Sequence, residues 1–259
     1  MYANVNLTLW KDVQMSLSSS ELERYERQML ISGWGTEGQK KLKAAKVAVA
    51  GMGGLGCPAS IYLTAVGVGK LILIDKEKFE LNNLNRQILG WQKDIGKVKA
   101  EVAKEKLEAL NSEVEVEAVV VEITKENVHN VIGNVDVVVD GQDNWKTRFI
   151  INEYCVTHNI QFIHAGVSAL HGQMTTIVPG KGPCLRCIFP NDPPEVEKIP
   201  VLGAAPAFFA SLQGMETVKL ITGMGKPLVG RMVFANGEEM VFETVEVKRN
   251  VECPVCGNL

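Results

Sequence analysis

Four cysteines in two C-x-x-C pairs, Cys184 with Cys187 and Cys253 with Cys256, carry the clearest metal-binding chemistry in the chain. Residues 1–15 show no basic start and are broken by Lys11 and Asp12, so no export signal is expected. In a chain kept in reducing surroundings, paired knuckles favour metal over disulfides. Four thiolates suit tetrahedral Zn²⁺, and a closed Cys₄ shell leaves no open position for catalysis. Such a site would tie the C-terminal tail back onto the body. The remaining cysteines, Cys57 and Cys155, fall in expected helices and read as core residues.

A second constellation points to a nucleotide. Gly51, Gly53, Gly54 and Gly56 lie in the run Gly51-Met52-Gly53-Gly54-Leu55-Gly56, between an apolar strand and a helix. Glycines there permit a tight turn and let phosphate oxygens approach backbone N–H groups at a helix N-terminus. Asp75 closes the next strand, where an acid can accept hydrogen bonds from a ribose. A tight turn with no ligand is the plain alternative. Alone, these features would suggest a nicotinamide-dependent dehydrogenase.

Three further residues weigh against that reading. Arg86 follows the second strand and Lys99 opens the next helix, both at the strand ends where open α/β sheets bind ligands. A triphosphate reacting at its α-phosphorus gains more from added cations than a pyrophosphate held by amides. Asp143, after another buried strand, offers the hard oxygen that Mg²⁺ prefers. The competing readings are solvated charges for Arg86 and Lys99, and a helix N-cap for Asp143.

The elements that must position these residues alternate. Strands are expected at 47–50, 71–74, 114–121, 135–139 and 161–165, with helices at 57–66, 99–110 and 147–158 between them. Ser16 to Ser20 reads as the cap region of a helix opened by Glu21 and Glu23. A strand at 173–178 and a helix at 207–222 follow. Asn236-Gly237, between expected strands at 231–235 and 239–247, is a hairpin signal because both residues accept positive φ. The expected fold is α/β, a Rossmann-like doubly wound, largely parallel sheet with a C-terminal hairpin extension and a Cys₄ zinc site. Residues 1–20 read as a flexible arm and 21–259 as one domain.

Lysine and arginine number 27 against 30 acids, a net charge of −3, so no global basic field attracts nucleic acid. The run 200–212 is too short and too broken by proline and glycine to span a membrane. A cytoplasmic protein is expected.

The ordered set Arg24-Tyr25-Glu26-Arg27-Gln28, the loop at 51–56, Asp75, Asn83-Leu84-Asn85-Arg86-Gln87, Lys99, Asp143-Asn144 and both cysteine pairs resembles the MoeB/ThiF/HesA family of the ubiquitin-activating enzyme superfamily. The likeness runs over residues 21–257. It implies that Asp75 binds the ATP ribose, that Arg86 and Lys99 bind phosphates, and that Asn83 and Gln87 line the same site. It implies Mg²⁺ on Asp143, and a homodimer in which Arg27 reaches the partner's ATP site. The implied reaction is adenylylation of the C-terminal glycine of a ubiquitin-like or sulfur-carrier protein ending in Gly-Gly, serving molybdopterin, thiamine or tRNA sulfur chemistry. Some relatives hold a further cysteine in the crossover before the helix at 207–222. The stretch 197–205 has none here, so no enzyme-bound thioester is expected. The runner-up is a same-fold enzyme activating a small-molecule or tRNA-borne carboxylate, followed by the dehydrogenase and a non-catalytic scaffold. His164 and His171 lie near the reactive edge without an assigned role.

Overall fold

The computed structural model describes residues 15–194 and 198–259. The chain opens with α1 (Ser19–Arg24), α2 (Glu26–Met29) and α3 (Gly35–Ala44), then alternates through β1 (Lys46–Ala50), α4 (Gly56–Val66), β2 (Lys70–Ile74), α5 (Lys99–Leu110), β3 (Glu115–Val119), α6 (Val128–Ile132), β4 (Val137–Asp140), α7 (Trp145–Thr157) and β5 (Gln161–Ser168). It closes with β6 (His171–Ile177), α8 (Leu185–Ile188), α9 (Ala204–Thr222), β7 (Arg231–Asn236) and β8 (Val241–Glu246). One eight-stranded sheet results, in the order β3-β2-β1-β4-β5-β6-β7-β8. Pairings from β3 across to β5 are parallel, and those from β5 across to β8 are antiparallel.

The central strands β1 and β4 are buried on both faces, as their apolar sequences require, while the edge strand β3 exposes Glu115 and Glu117. Val47, Val49, Leu71, Leu73, Val137 and Val139 share a core with residues of α4, α5 and α9. Their neighbours Ala48, Ala50, Ile74 and Val138 face the other way, into a core with Ile132, Ile151 and Cys155. Beyond β5 the two faces part company. Phe209 of α9 packs with Ala165, Met174 and Ala235 on one face. The other face carries the cross-strand row Gly166, Gln173, Phe234 and Glu243, which forms part of the wall of an open cavity.

Two local expectations need correction. The N-terminal arm ends earlier than residue 20: Ser18 Oγ accepts from the Glu21 N–H at 3.2 Å while Glu21 accepts from the Ser18 N–H at 2.7 Å. This capping box starts the helix at Ser19; residues 1–14 of the expected arm lie outside those described. The hairpin forms, but its turn is the four-residue loop 237–240, with positive φ at Met240 and not at Asn236 or Gly237. Asn236 Oδ1 instead accepts from the N–H groups of Glu238 and Glu239. Gly237 is needed for close approach, since a Cβ there would lie 2.5 Å from the Leu170 carbonyl oxygen. Among the described residues no helix is long and apolar enough to cross a membrane.

Candidate active site

The chain leaves β1 toward β2 on one side, while β4 pairs on its other side, so a crevice opens above the C-terminal ends of β1 and β4. The glycine loop fills one wall. Gly51 takes φ +99°, and a Cβ on Gly56 would sit 1.8 Å from the Gly51 carbonyl oxygen, so the first turn of α4 folds tightly against the loop. Gly53 and Gly54 face outward, half-exposed. Asp75 braces this loop: one oxygen accepts from the Met52 N–H at 2.7 Å, the other from the Glu77 N–H at 2.7 Å. Burial raises its pKa, and these two N–H groups and Lys99 act in the opposite direction.

The cations gather around the same loop. Lys99 is 3% exposed at the start of α5 and pairs with Glu77 at 2.6 Å. Because Glu77 is largely exposed, that partner can swing away and leave the ammonium for an anion. Arg86 lies with its stem against Gly54, and its Nη1 donates to the Asn82 carbonyl at 2.8 Å and to Asn85 Oδ1 at 3.0 Å. Gln87 is buried beside Gly53, and its Oε1 has no partner among the described residues. Asn83 shapes the loop itself, accepting from the Glu80 N–H at 3.0 Å.

Across the crevice, Asn144 is the N-cap of α7: its Oδ1 accepts from the Thr147 N–H at 2.8 Å. The cap alternative for Asp143 therefore fails. Asp143 is exposed, hydrogen-bonds to no described residue, and sits on the wall of a cavity of 680 Å³ that continues over β5–β8.

Beneath Asp143 lies a buried network that sequence patterns did not disclose. Asp140 is fully buried at the end of β4. One of its oxygens accepts from the Gln142 N–H at 2.9 Å. The other accepts from His164 Nδ1 at 2.7 Å and from Arg148 Nε at 3.1 Å. Burial lowers the pKa of His164, so the imidazole is neutral, and its Nε2 has no partner among the described residues. Trp145 packs against His164, 5.7 Å between ring centres. The only signals in the sequence were an acid closing an apolar strand and an arginine inside an apolar helix.

Arg27 is not near this crevice in its own chain. Its neighbour Gln28 donates to the carbonyl of Val66, the last residue of α4, whereas the glycine loop adjoins the first. Eleven helical residues separate the two ends by about 16 Å. Arg27 itself is exposed, with no hydrogen bond or ion pair to a described residue.

The four knuckle cysteines converge. Cys184 and Cys253 sulfurs lie 3.6 Å apart, those of Cys187 and Cys256 3.3 Å, and all four fall within 4.8 Å of one another. Four buried or half-buried sulfurs with no countercharge of their own suit a thiophilic cation such as Zn²⁺. The Leu185 N–H donates to Asn152 Oδ1 at 2.8 Å, tying this cluster to α7. Cys57 and Cys155 are core residues, and burial pushes the Cys57 thiol up to about 12.

The chain is 42% identical to the SAMP-activating enzyme E1 of Haloferax volcanii over 248 residues, covering 94% of this chain and 92% of that protein. It is 39% identical to the sulfur carrier protein adenylyltransferase of Thermus thermophilus, covering 94% of each. Its fold matches the crystal structure of E. coli MccB with ATP at a TM-score of 0.83 and 30% identity, covering 93% of this chain and 75% of that one. The ThiF family profile matches residues 25–255, nine-tenths of the chain, with the glycine loop, Asp143, Cys184, Cys187 and Cys253 inside the match; the chain belongs to the ThiF family.

Proposed function

We propose that this chain is an adenylyltransferase that activates the C-terminal glycine carboxylate of a ubiquitin-like sulfur-carrier protein with ATP, releasing pyrophosphate. The observation that carries this reading is the junction of two spaces at Asp143. On one side lie the glycine loop, Asp75, Lys99 and Arg86, a set fitted to a nucleoside triphosphate. On the other a 680 Å³ cavity runs over the uncovered face of β5–β8, with room for a chain terminus.

In this reading the loop amides and Arg86 hold the phosphates, Asp75 accepts from the ribose, and Gln87 turns its free Oε1 toward the nucleotide. Asp143 would hold Mg²⁺, which supplies charge neutralisation at the phosphates. A carboxylate oxygen of the carrier bonds to the α-phosphorus while the bond from that phosphorus to the α–β bridging oxygen breaks. The leaving pyrophosphate takes the electron pair, and Lys99 and Arg86 stabilise its charge. No side chain forms a covalent bond; placement and electrostatics supply the rate. Arg27, remote from its own crevice, would serve a second copy's site in a homodimer. Cys184, Cys187, Cys253 and Cys256 would hold a structural Zn²⁺. A cytoplasmic setting would keep those thiols reduced. The small-carboxylate alternative leaves the length of the cavity unused.

ATP–pyrophosphate exchange tests the reading. Exchange should depend on a ubiquitin-fold carrier with a free Gly-Gly terminus and vanish when that terminus is amidated. Exchange without a carrier, or with an amidated one, would overturn it.

A further inference from the structure

Two independent observations single out one point on the floor of the cavity. The first is Arg148, 6% exposed, whose guanidinium is held from behind. Its Nε donates to Asp140, and its Nη2 donates to the Gln142 and Ala165 carbonyls. Its Nη1 hydrogen-bonds to no described residue, and Arg148 is part of the cavity wall. The guanidinium is thus fixed from within the protein, and its one donor without a partner among the described residues faces the cavity, where a bound acceptor can take it.

The second is Gly166, in the run of β5. Its φ is not in the left-handed region, and a Cβ there would meet only Arg148 Nη1 and Gln173, each at 3.7 Å, ordinary contact. Neither the backbone nor the packing of this chain requires a glycine. Glycine weakens a strand, and in a strand interior it often leaves room for the close approach of a ligand or another backbone. Gly172 on the next strand is a useful contrast, because a Cβ there would lie 2.1 Å from Phe209 on the opposite face.

We propose that Arg148 is a substrate-positioning residue: its Nη1 donates to a main-chain carbonyl of the carrier's C-terminal segment, which passes over the bare surface of Gly166. This deepens the adenylylation reading and rests on it. An extended segment lying there leads toward Asp143, at the mouth of the nucleotide crevice, and its terminal carboxylate is delivered to the α-phosphate. A main-chain acceptor makes this contact independent of the carrier's side chains. Asp140, with His164 behind it, fixes the guanidinium plane.

Two variants test it in the full-length, zinc-loaded enzyme, with recombinant ubiquitin-fold carriers ending in Gly-Gly as the probe. Gly166→Ala places a methyl beside Nη1 and leaves every internal bond of Arg148 in place. Arg148→Lys keeps the charge beside Asp140 but loses the fork. Loss of one charged hydrogen bond should raise the carrier KM roughly 10- to 100-fold in each. The ATP KM should stay within about twofold, since the nucleotide makes no use of this contact. A carrier KM unchanged in Gly166→Ala overturns the proposal. So does a parallel rise in the ATP KM, which would give Arg148 to the nucleotide. Wild-type enzyme that shows no carrier-dependent exchange removes the underlying reading, and the proposal with it.

Discussion

The two halves of the sheet are built from the same chain by different rules. The half from β3 to β4 is parallel and buried on both faces at its centre, β1 and β4, so its chemistry is confined to the loops at one edge. The half from β5 to β8 is antiparallel; α9 covers one face of β5 and β6, the other face is open, and the edge strand β8 is exposed throughout. In the proposed reading the first half holds a small polyanion, with the loop amides, two cations and one carboxylate gathered at the C-terminal edge of its strands. The second is a platform wide enough for part of another polypeptide. Asp143 stands where they meet, and in the proposed reading this one carboxylate serves both substrates.

Removing that shared residue should do the most damage. Asp143→Ala is expected to lower carrier-dependent exchange by about 10²- to 10³-fold, as when a main electrostatic stabiliser is lost, with the fold intact because Asn144 and not Asp143 caps α7. Normal exchange by this variant would break the comparison at its hinge. Lys99→Met separates the halves: exchange should fall by about 10²-fold while the carrier still binds, measured by calorimetry without ATP. Weakened carrier binding of similar size would show that the two halves are not distinct.

The four-cysteine cluster packs against α7 and, with Zn²⁺ bound, should act on stability. Cys253→Ser is expected to abolish stoichiometric zinc in atomic absorption and lower Tm by roughly 5–15 °C. A variant that keeps both its zinc and its Tm would remove the structural role of the cluster.

The smallest expected effect concerns His164. Burial holds its folded pKa below the unfolded 6.5. Below pH 6.5 the unfolded chain takes up a proton that the folded chain refuses, so this contribution is complete above 6.5 and is lost as the pH falls toward the folded pKa. His164→Asn, which can still donate to Asp140, should lose less Tm than wild type between pH 7.5 and 5.5. Equal losses would show that His164 does not stay neutral.

The halves also differ in how much the sequence discloses. The glycine loop, Asp75 and Asp143 are legible because each follows an apolar strand within a few residues, and Lys99 because it opens the next helix; the physics of a strand end or a helix start is local. The cysteines are legible because C-x-x-C spacing is itself a geometric statement. The family likeness then adds expectations that spacing alone does not contain, such as a role for Arg27 in a partner's site. What stays hidden is the contact made at long range. His164 and Asp140 are 24 residues apart and meet only because β5 pairs with β4. Arg148 looks like one more polar residue on a helix until Asp140 and the Ala165 carbonyl surround it. Asn236-Gly237 correctly signals a hairpin and misplaces its turn, because Leu170, far away in sequence, dictates how closely residue 237 must approach.

The most direct test of the account is intact-mass spectrometry of a Gly-Gly carrier after a single turnover with stoichiometric enzyme, ATP and Mg²⁺, quenched in acid. The account predicts a carrier heavier by one adenylyl group at its C-terminal glycine, matched mole for mole by pyrophosphate. An unmodified carrier, or ADP and phosphate in place of pyrophosphate, would contradict it.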